Sequence, residues 1–244
     1  LSNHKIPHIP VLFNEVCETF QEFSSGYIID CTLGYGGHSE GILESNPNIK
    51  LICNDQDGEA LRFSQKRLER FSNRIIFNQG NFKDLIEKFQ DKHIVGVLAD
   101  IGVSSLQLDK NERGFGFGSD TLDMRMDQTQ SLSAYDIVNH YSQNQLETIF
   151  KEYGEVKEYK KVASLIVQNR PFCSAKELAS FLEKKIYKGK LHPATLPFQG
   201  IRIEVNNELG VLEQLFDQIE NARFKNTRVA IISFHSLEDR IVKN

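Results

Sequence analysis

A glycine-rich turn between two apolar runs, with an acid closing the second, carries the first chemical signal of this 244-residue chain. Ile28-Ile29 leads into Asp30-Cys31-Thr32-Leu33-Gly34-Tyr35-Gly36-Gly37-His38, and a helix-like segment follows from Ser39. Such a turn lets backbone approach a bound molecule where side chains would collide. The second run, Ile49 to Asn54, ends at Asp55, 18 residues past Gly37. An acid at that distance, on the tip of a second strand, commonly hydrogen-bonds ribose hydroxyls. The pair predicts an adenosine-containing cofactor at the carboxyl edge of a parallel sheet. Asp100 closes a further buried run, Ile94 to Ala99, and is expected to face the same crevice.

The dinucleotide fingerprint Gly-x-Gly-x-x-Gly, started at Gly34, fails at Ser39, where the third glycine belongs. That glycine packs helix against strand in nicotinamide-binding folds. The form Asp30-x-x-x-Gly34-x-Gly36, with an acid after the second strand, instead resembles the turn of S-adenosylmethionine-dependent methyltransferases.

Strand and helix signals alternate through the elements that must position these residues. Val11–Phe20 reads as a helix before a strand at Tyr27–Asp30. The strand at 49–54 leads into a helix at Gly58–Arg70. Arg74–Asn78 and Ile94–Ala99 are two more strands, with a helix near Lys83–Phe89 between them. Strands joined by helical crossovers predict a doubly wound parallel α/β sheet. Residues 101–127 are rich in Gly, Ser and Asp and read as a long functional loop. From Ser133 to about Ile186 only helices are signalled. Ser142-x-x-Gln145 and Ser174-x-x-Glu177 match the capping box and mark two helix starts. A helix at Gln199–Asn221 and a strand at Val229–Ser233 return to the sheet. The expected organisation is therefore a sheet domain of residues 1–127 and 196–244, interrupted by an all-helical insertion over 128–195. A methyltransferase sheet of this kind carries two more strands, the last antiparallel, and these are expected beyond Asn244.

Composition narrows the class. Hydrophobic residues make up 40 % and charged residues 25 %, an ordinary globular mix. No apolar run approaches the roughly 18 residues of a membrane span. The four cysteines, Cys17, Cys31, Cys53 and Cys173, show no metal-ligand or disulfide spacing, which predicts a reducing cytoplasm and no metal. The net charge is −4, yet residues 151–190 hold ten Lys and Arg against five Glu. That basic segment predicts a nucleic-acid-facing patch, and solvated helix faces would give the same charge pattern.

Longer motifs make the resemblance specific. Ala99-Asp100-Ile101-Gly102-Val103-Ser104-Ser105-Leu106-Gln107-Leu108-Asp109 is followed by Arg113-Gly114-Phe115-Gly116-Phe117 and Leu122-Asp123-Met124-Arg125-Met126-Asp127. His192-Pro193-Ala194-Thr195, Phe198 to Leu209 and Ile231 to Arg240 come later. With Asp30–His38, these resemble the bacterial small-subunit ribosomal RNA methyltransferase H family, also called MraW, from about His8 to Lys243. The resemblance implies a class I methyltransferase-like, Rossmann-like fold. It implies methyl transfer from S-adenosylmethionine to the exocyclic N4 of a cytidine in the decoding region of 16S rRNA, free or within the small ribosomal subunit. It also implies cofactor contacts at Gly36, Gly37, His38, Asp55, Phe82, Asp100 and Gln107. Read from the residues alone, Phe82 suits an adenine face or ordinary core packing.

The chemistry sets its own demands. A cytosine amino group is a poor nucleophile, because its lone pair is delocalised into the ring. Transfer needs in-line positioning, acceptors for the amino hydrogens and a route for proton loss. Asp100 is the natural acceptor and the expected catalytic residue. Many amino-methyltransferases follow this acid with two prolines and an aromatic, whereas here Ile101-Gly102-Val103 follows. Phe115 and Phe117 are the candidates for stacking on the base, or else anchors for their loop. Arg113, Arg125 and Arg202 are expected at phosphate, or paired with Asp109, Asp123 or Glu204. His235, after the last strand, is expected near the crevice. A protein or small-molecule substrate, and a non-catalytic ribosome-assembly module, are the competing readings. Monomer and homodimer both remain open.

Overall fold

In the computed structural model, which describes residues 10–186 and 189–243, five short apolar runs pair as one parallel sheet. β1 (Gly26–Asp30), β2 (Ile49–Asp55), β3 (Ile75–Gln79), β4 (Ile94–Asp100) and β5 (Arg228–Ile232) lie in the order β3-β2-β1-β4-β5. Parallel strands are covered on both faces, so their side chains are apolar almost throughout. Ile28, Ile29, Leu51, Ile52, Val97 and Leu98 accordingly have no exposed surface. The two-residue period sends Ile28, Leu51 and Leu98 into one core with Val16, Phe20 and Ile42. Their neighbours Ile29, Ile52 and Val97 enter a second core with Leu212 and Leu215.

Strand order reverses between β1 and β4, the point where open α/β sheets place their ligands. β2, β1 and β4 are adjacent, and each ends on an aspartate: Asp55, Asp30 and Asp100. Sheet topology alone therefore lines three carboxylates along one edge.

The chain divides into two compact units. The first comprises residues 1–106 and 209–244, and the second residues 107–208. Around the sheet lie α1 (Phe13–Phe20), α2 (Gly37–Ser45), α3 (Gly58–Arg67) and α4 (Leu85–Lys88). The chain enters the second unit within α5 (Ser105–Asp109). That unit holds α6 (Ala134–His140), α7 (Gln143–Thr148), α8 (Tyr159–Gln168), α9 (Ala175–Lys185) and α10 (Thr195–Asn206). α11 (Glu208–Ala222) and α12 (Ser236–Lys243) complete the chain. The helix expected at 58–70 ends at Arg67 and tightens into a 3₁₀ turn over Glu69–Arg74.

Capping starts the helices of the second unit. Ser133 with Asp136 and Ser142 with Gln145 form reciprocal boxes. Ser174 caps α9 through the Glu177 amide, but the Glu177 carboxylate accepts from Cys173 N–H instead of closing the box. The second unit is wider than the 128–195 expected from helical signals. Asn206 explains the difference, because its side chain accepts from Met126 N–H and donates to Met124 O, both at 2.8 Å. This ties the Gly-rich stretch to α10 within one body. The single helix expected at 199–221 is two helices, because Asn207 turns left-handed (φ 48°) between them.

Candidate active site

Asp30 is the deepest of the three carboxylates. It is buried, and it accepts from Ser39 Oγ at 2.6 Å and from Thr32 N–H at 3.2 Å. Burial raises its pKa, against the opposing pull of the Ser39 bond. Thr32 Oγ1 in turn accepts the Asp100 amide at 2.7 Å. Ser39 and Thr32 thus fix the two strand ends against each other. Nothing in their sequence context separates them from ordinary turn residues.

Asp55 clamps the glycine turn. Its Oδ2 accepts the Gly34 N–H and its Oδ1 the Asp57 N–H, both at 2.8 Å. Burial pushes its carboxyl up to about 7, while the two amides pull it back. A carboxylate oxygen has two acceptor sites, so each oxygen keeps one for a hydroxyl donor.

Gly34 and Gly36 both adopt left-handed backbone (φ 51° and 75°), which glycine takes without strain. The space beside the glycines is filled by the protein itself. A β-carbon at Gly36 would lie 3.1 Å from Ser64 Oγ, and one at Gly37 would lie 2.5 Å from Pro10 Cγ. α2 starts at Gly37, so the positive end of its dipole also lies at this edge.

His38, in the first turn of α2, is buried. Its Nε2 lies 2.9 Å from the Val11 carbonyl oxygen. A carbonyl only accepts, so Nε2 carries hydrogen. The other ring nitrogen, Nδ1, is 3.7 Å from Asp100 Oδ2. The second Asp100 oxygen, Oδ1, is buried without a hydrogen-bond partner among the described residues. Burial raises the Asp100 carboxyl to about 6; His38 lowers it, and Asp30 and Glu238 push it further up.

Phe82 opens a 3₁₀ turn just beyond β3 and is half-buried against the core that includes Leu85 and Ile86. It therefore serves packing and still shows part of its surface. His235 directly follows Phe234 on the segment leading into α12, and its ring lies against Glu238. Nε2 is 3.1 Å from Glu238 Oε1, and Nδ1 faces the Glu238 N–H at 3.4 Å. The ring thereby braces the first turn of α12.

The remaining expected residues belong to the second unit. Gln107 is buried on α5. Arg113, expected at phosphate, is instead 1 % exposed and donates to the carbonyls of Arg125 and Met126 at 3.0 and 3.2 Å. Arg125 forms a two-bond pair with Asp123 at 2.8 and 2.9 Å. Arg202 does the same with Glu208, not with the expected Glu204, at 2.8 and 2.9 Å. Phe115 is buried, and Phe117 stacks on His192 at 4.6 Å and meets Phe198 edge-on at 5.0 Å. Phe115 is packed inside its unit, while Phe117 keeps part of its ring exposed.

Known proteins match the chain over nearly its whole length. Residues 5–244 match the MraW methylase family. The chain is 73 % identical over 239 residues to Ribosomal RNA small subunit methyltransferase H of Aliarcobacter butzleri, covering 98 % of this chain and 80 % of that one. It is 56 % identical over 244 residues to the protein of the same name from Sulfurimonas denitrificans, covering 98 % and 80 %. On a match of this extent, the chain belongs to the MraW methylase family.

Proposed function

We propose that this chain methylates the exocyclic N4 of a cytidine in the decoding region of 16S rRNA, using S-adenosylmethionine. The observation that carries the reading is Asp100, a partly exposed carboxylate at the sheet's switch point. The names of the relatives support a ribosomal RNA substrate. The residues fit the cofactor: Asp55 keeps an acceptor site on each oxygen for ribose hydroxyls, and Phe82 offers a partly open aromatic surface for adenine. When bound, S-adenosylmethionine supplies an electrophilic methyl group.

The protein's own part is positioning and proton handling. The partly exposed Asp100 carboxylate accepts a hydrogen of the target amine and holds its nitrogen in line. The same carboxylate favours the positive charge that develops on that nitrogen and takes the proton it loses. The helical unit supplies RNA affinity through the exposed lysines of α9, Lys184 and Lys185, and through Lys190. Lys188, expected to act with them, lies outside the described residues. No helix among the described residues is long and apolar enough to cross a membrane, and a ribosomal substrate supports activity in the cytoplasm.

The test is methyl transfer to small-subunit particles and to free 16S rRNA, followed by mass mapping of the product. Label on the N4 of one cytidine is expected. Label on protein, on a small molecule or on no acceptor overturns the reading.

A further inference from the structure

We propose that Phe234 is the platform on which the target base stacks. The inference rests on the cytidine reading above and adds the residue that holds the ring. The four residues between β4 and α5, Ile101 to Ser104, include no aromatic; Phe115 is buried, and Phe117 stacks on His192 within the second unit. A base whose amino group reaches Asp100 still needs an apolar face beside it.

Strand register brings Phe234 to that place. β4 and β5 are neighbours, with Asp100 opposite Ile232. The Ile101 N–H continues the ladder by donating to Ile232 O at 2.9 Å. Two residues beyond this pair, Gly102 lies beside Phe234. A β-carbon on Gly102 would stand 3.4 Å from the ring's Cδ2 and 3.9 Å from Cε2. Gly102 has φ 114°, so a larger residue there is disfavoured by backbone as well as by the ring. Adjacent strands are about 4.8 Å apart and rise about 3.3 Å per residue, which keeps Phe234 within reach of a pyrimidine held at Asp100.

The ring is also presented rather than stored. It is 57 % exposed, although its backbone is fixed. The Phe234 N–H donates to Glu238 Oε2 at 2.8 Å, and Glu238 is fully buried. A single exposed apolar side chain is ordinary on a protein surface. A fixed aromatic beside the catalytic strand end has the flat π surface that unstacked RNA bases use.

The test compares Phe234→Ala, Phe234→Leu and Phe234→Trp with the unaltered chain on small-subunit particles. Cofactor binding by calorimetry and thermal melting serve as controls. Phe234→Ala and Phe234→Leu should each lower kcat/KM for RNA by roughly tenfold to a hundredfold, the scale of one lost base stack. Phe234→Trp should retain most activity, and all three should bind S-adenosylmethionine and melt like the parent. Full activity in Phe234→Leu overturns the platform while leaving the methyltransferase reading intact. Absence of RNA methylation by the unaltered chain overturns both.

Discussion

The imidazole of His38 is held by the Val11 carbonyl on one side and stands 3.7 Å from the Asp100 carboxylate on the other. This pairing ties the first turn of α2 to the end of β4. Of the groups acting on Asp100, His38 favours its charged form, against burial, Asp30 and Glu238. Only the carboxylate accepts the amine's hydrogen, so the methylation rate should rise as pH passes about 6 and level off above it. His38→Gln removes the favourable neighbour and should move that midpoint upward. Single-turnover rates at saturating cofactor, across a pH series, measure it. A midpoint that does not move would show that His38 only packs.

Asp100 also makes the fold sensitive to pH. Folding raises its pKa from 3.8 to about 6. Between those values the native state binds more protons than the unfolded chain, so this residue's contribution to stability falls as pH rises. Asp100→Asn should therefore raise stability at neutral pH, by about 1–2 kcal/mol once partial solvent screening is allowed for. The gain should vanish at about pH 3, below both values. Methylation should fall on the order of a hundredfold or more. Thermal melts at the two pH values decide the first claim, and single-turnover rates the second.

Asp55→Ala should weaken S-adenosylmethionine binding by roughly 1–3 kcal/mol, the range for losing a buried charged hydrogen-bond partner. Two causes act together. The ribose acceptors are lost, and so is the bond that draws Gly34 N–H to the tip of β2. Titration calorimetry measures the sum, and unchanged affinity refutes both.

Arg113→Met should destabilise the second unit without removing an RNA contact. Its guanidinium is buried and donates to the Arg125 and Met126 carbonyls. Leaving those acceptors unpaired costs about 1–3 kcal/mol each. Denaturant unfolding should register the loss, and the salt dependence of RNA binding should stay as it was.

The sheet was legible because its signal is local. The strands are short apolar runs, and Asp55 and Asp100 end β2 and β4 as their runs predict. The helix starts at Ser142 and Ser174 were legible for the same reason, since a cap is written within four residues. The break at Asn207 was not, because its left-handed turn accompanies the tertiary bonds of Asn206 to Met124 and Met126. Arg113 misled for a related reason. A basic side chain in a Gly-rich loop looks solvent-facing until the chain folds back over it, as it does over Arg113. Phe234 had no signal of its own, since its importance lies in the register of β4 against β5.

RNA affinity should reside in the basic segment of the helical unit. Residues 151–190 carry ten Lys and Arg against five Glu in a chain of net charge −4. Some of this charge is locally neutralised, as Lys151 is by Glu152 and Lys161 by Glu158. Lys184, Lys185 and Lys190 are exposed at and beyond the end of α9. Each phosphate neutralised releases counterions, so affinity falls with salt in proportion to the contacts made. Replacing Lys184, Lys185, Lys188 and Lys190 together by Gln should weaken binding and flatten the log–log salt slope by up to roughly 3. Cofactor affinity should not change, because Asp55 and the glycine turn belong to the other unit. Filter binding across a salt series reads the slope directly. If the slope is retained, these lysines are solvated surface, and the phosphate contacts must be sought elsewhere on the chain.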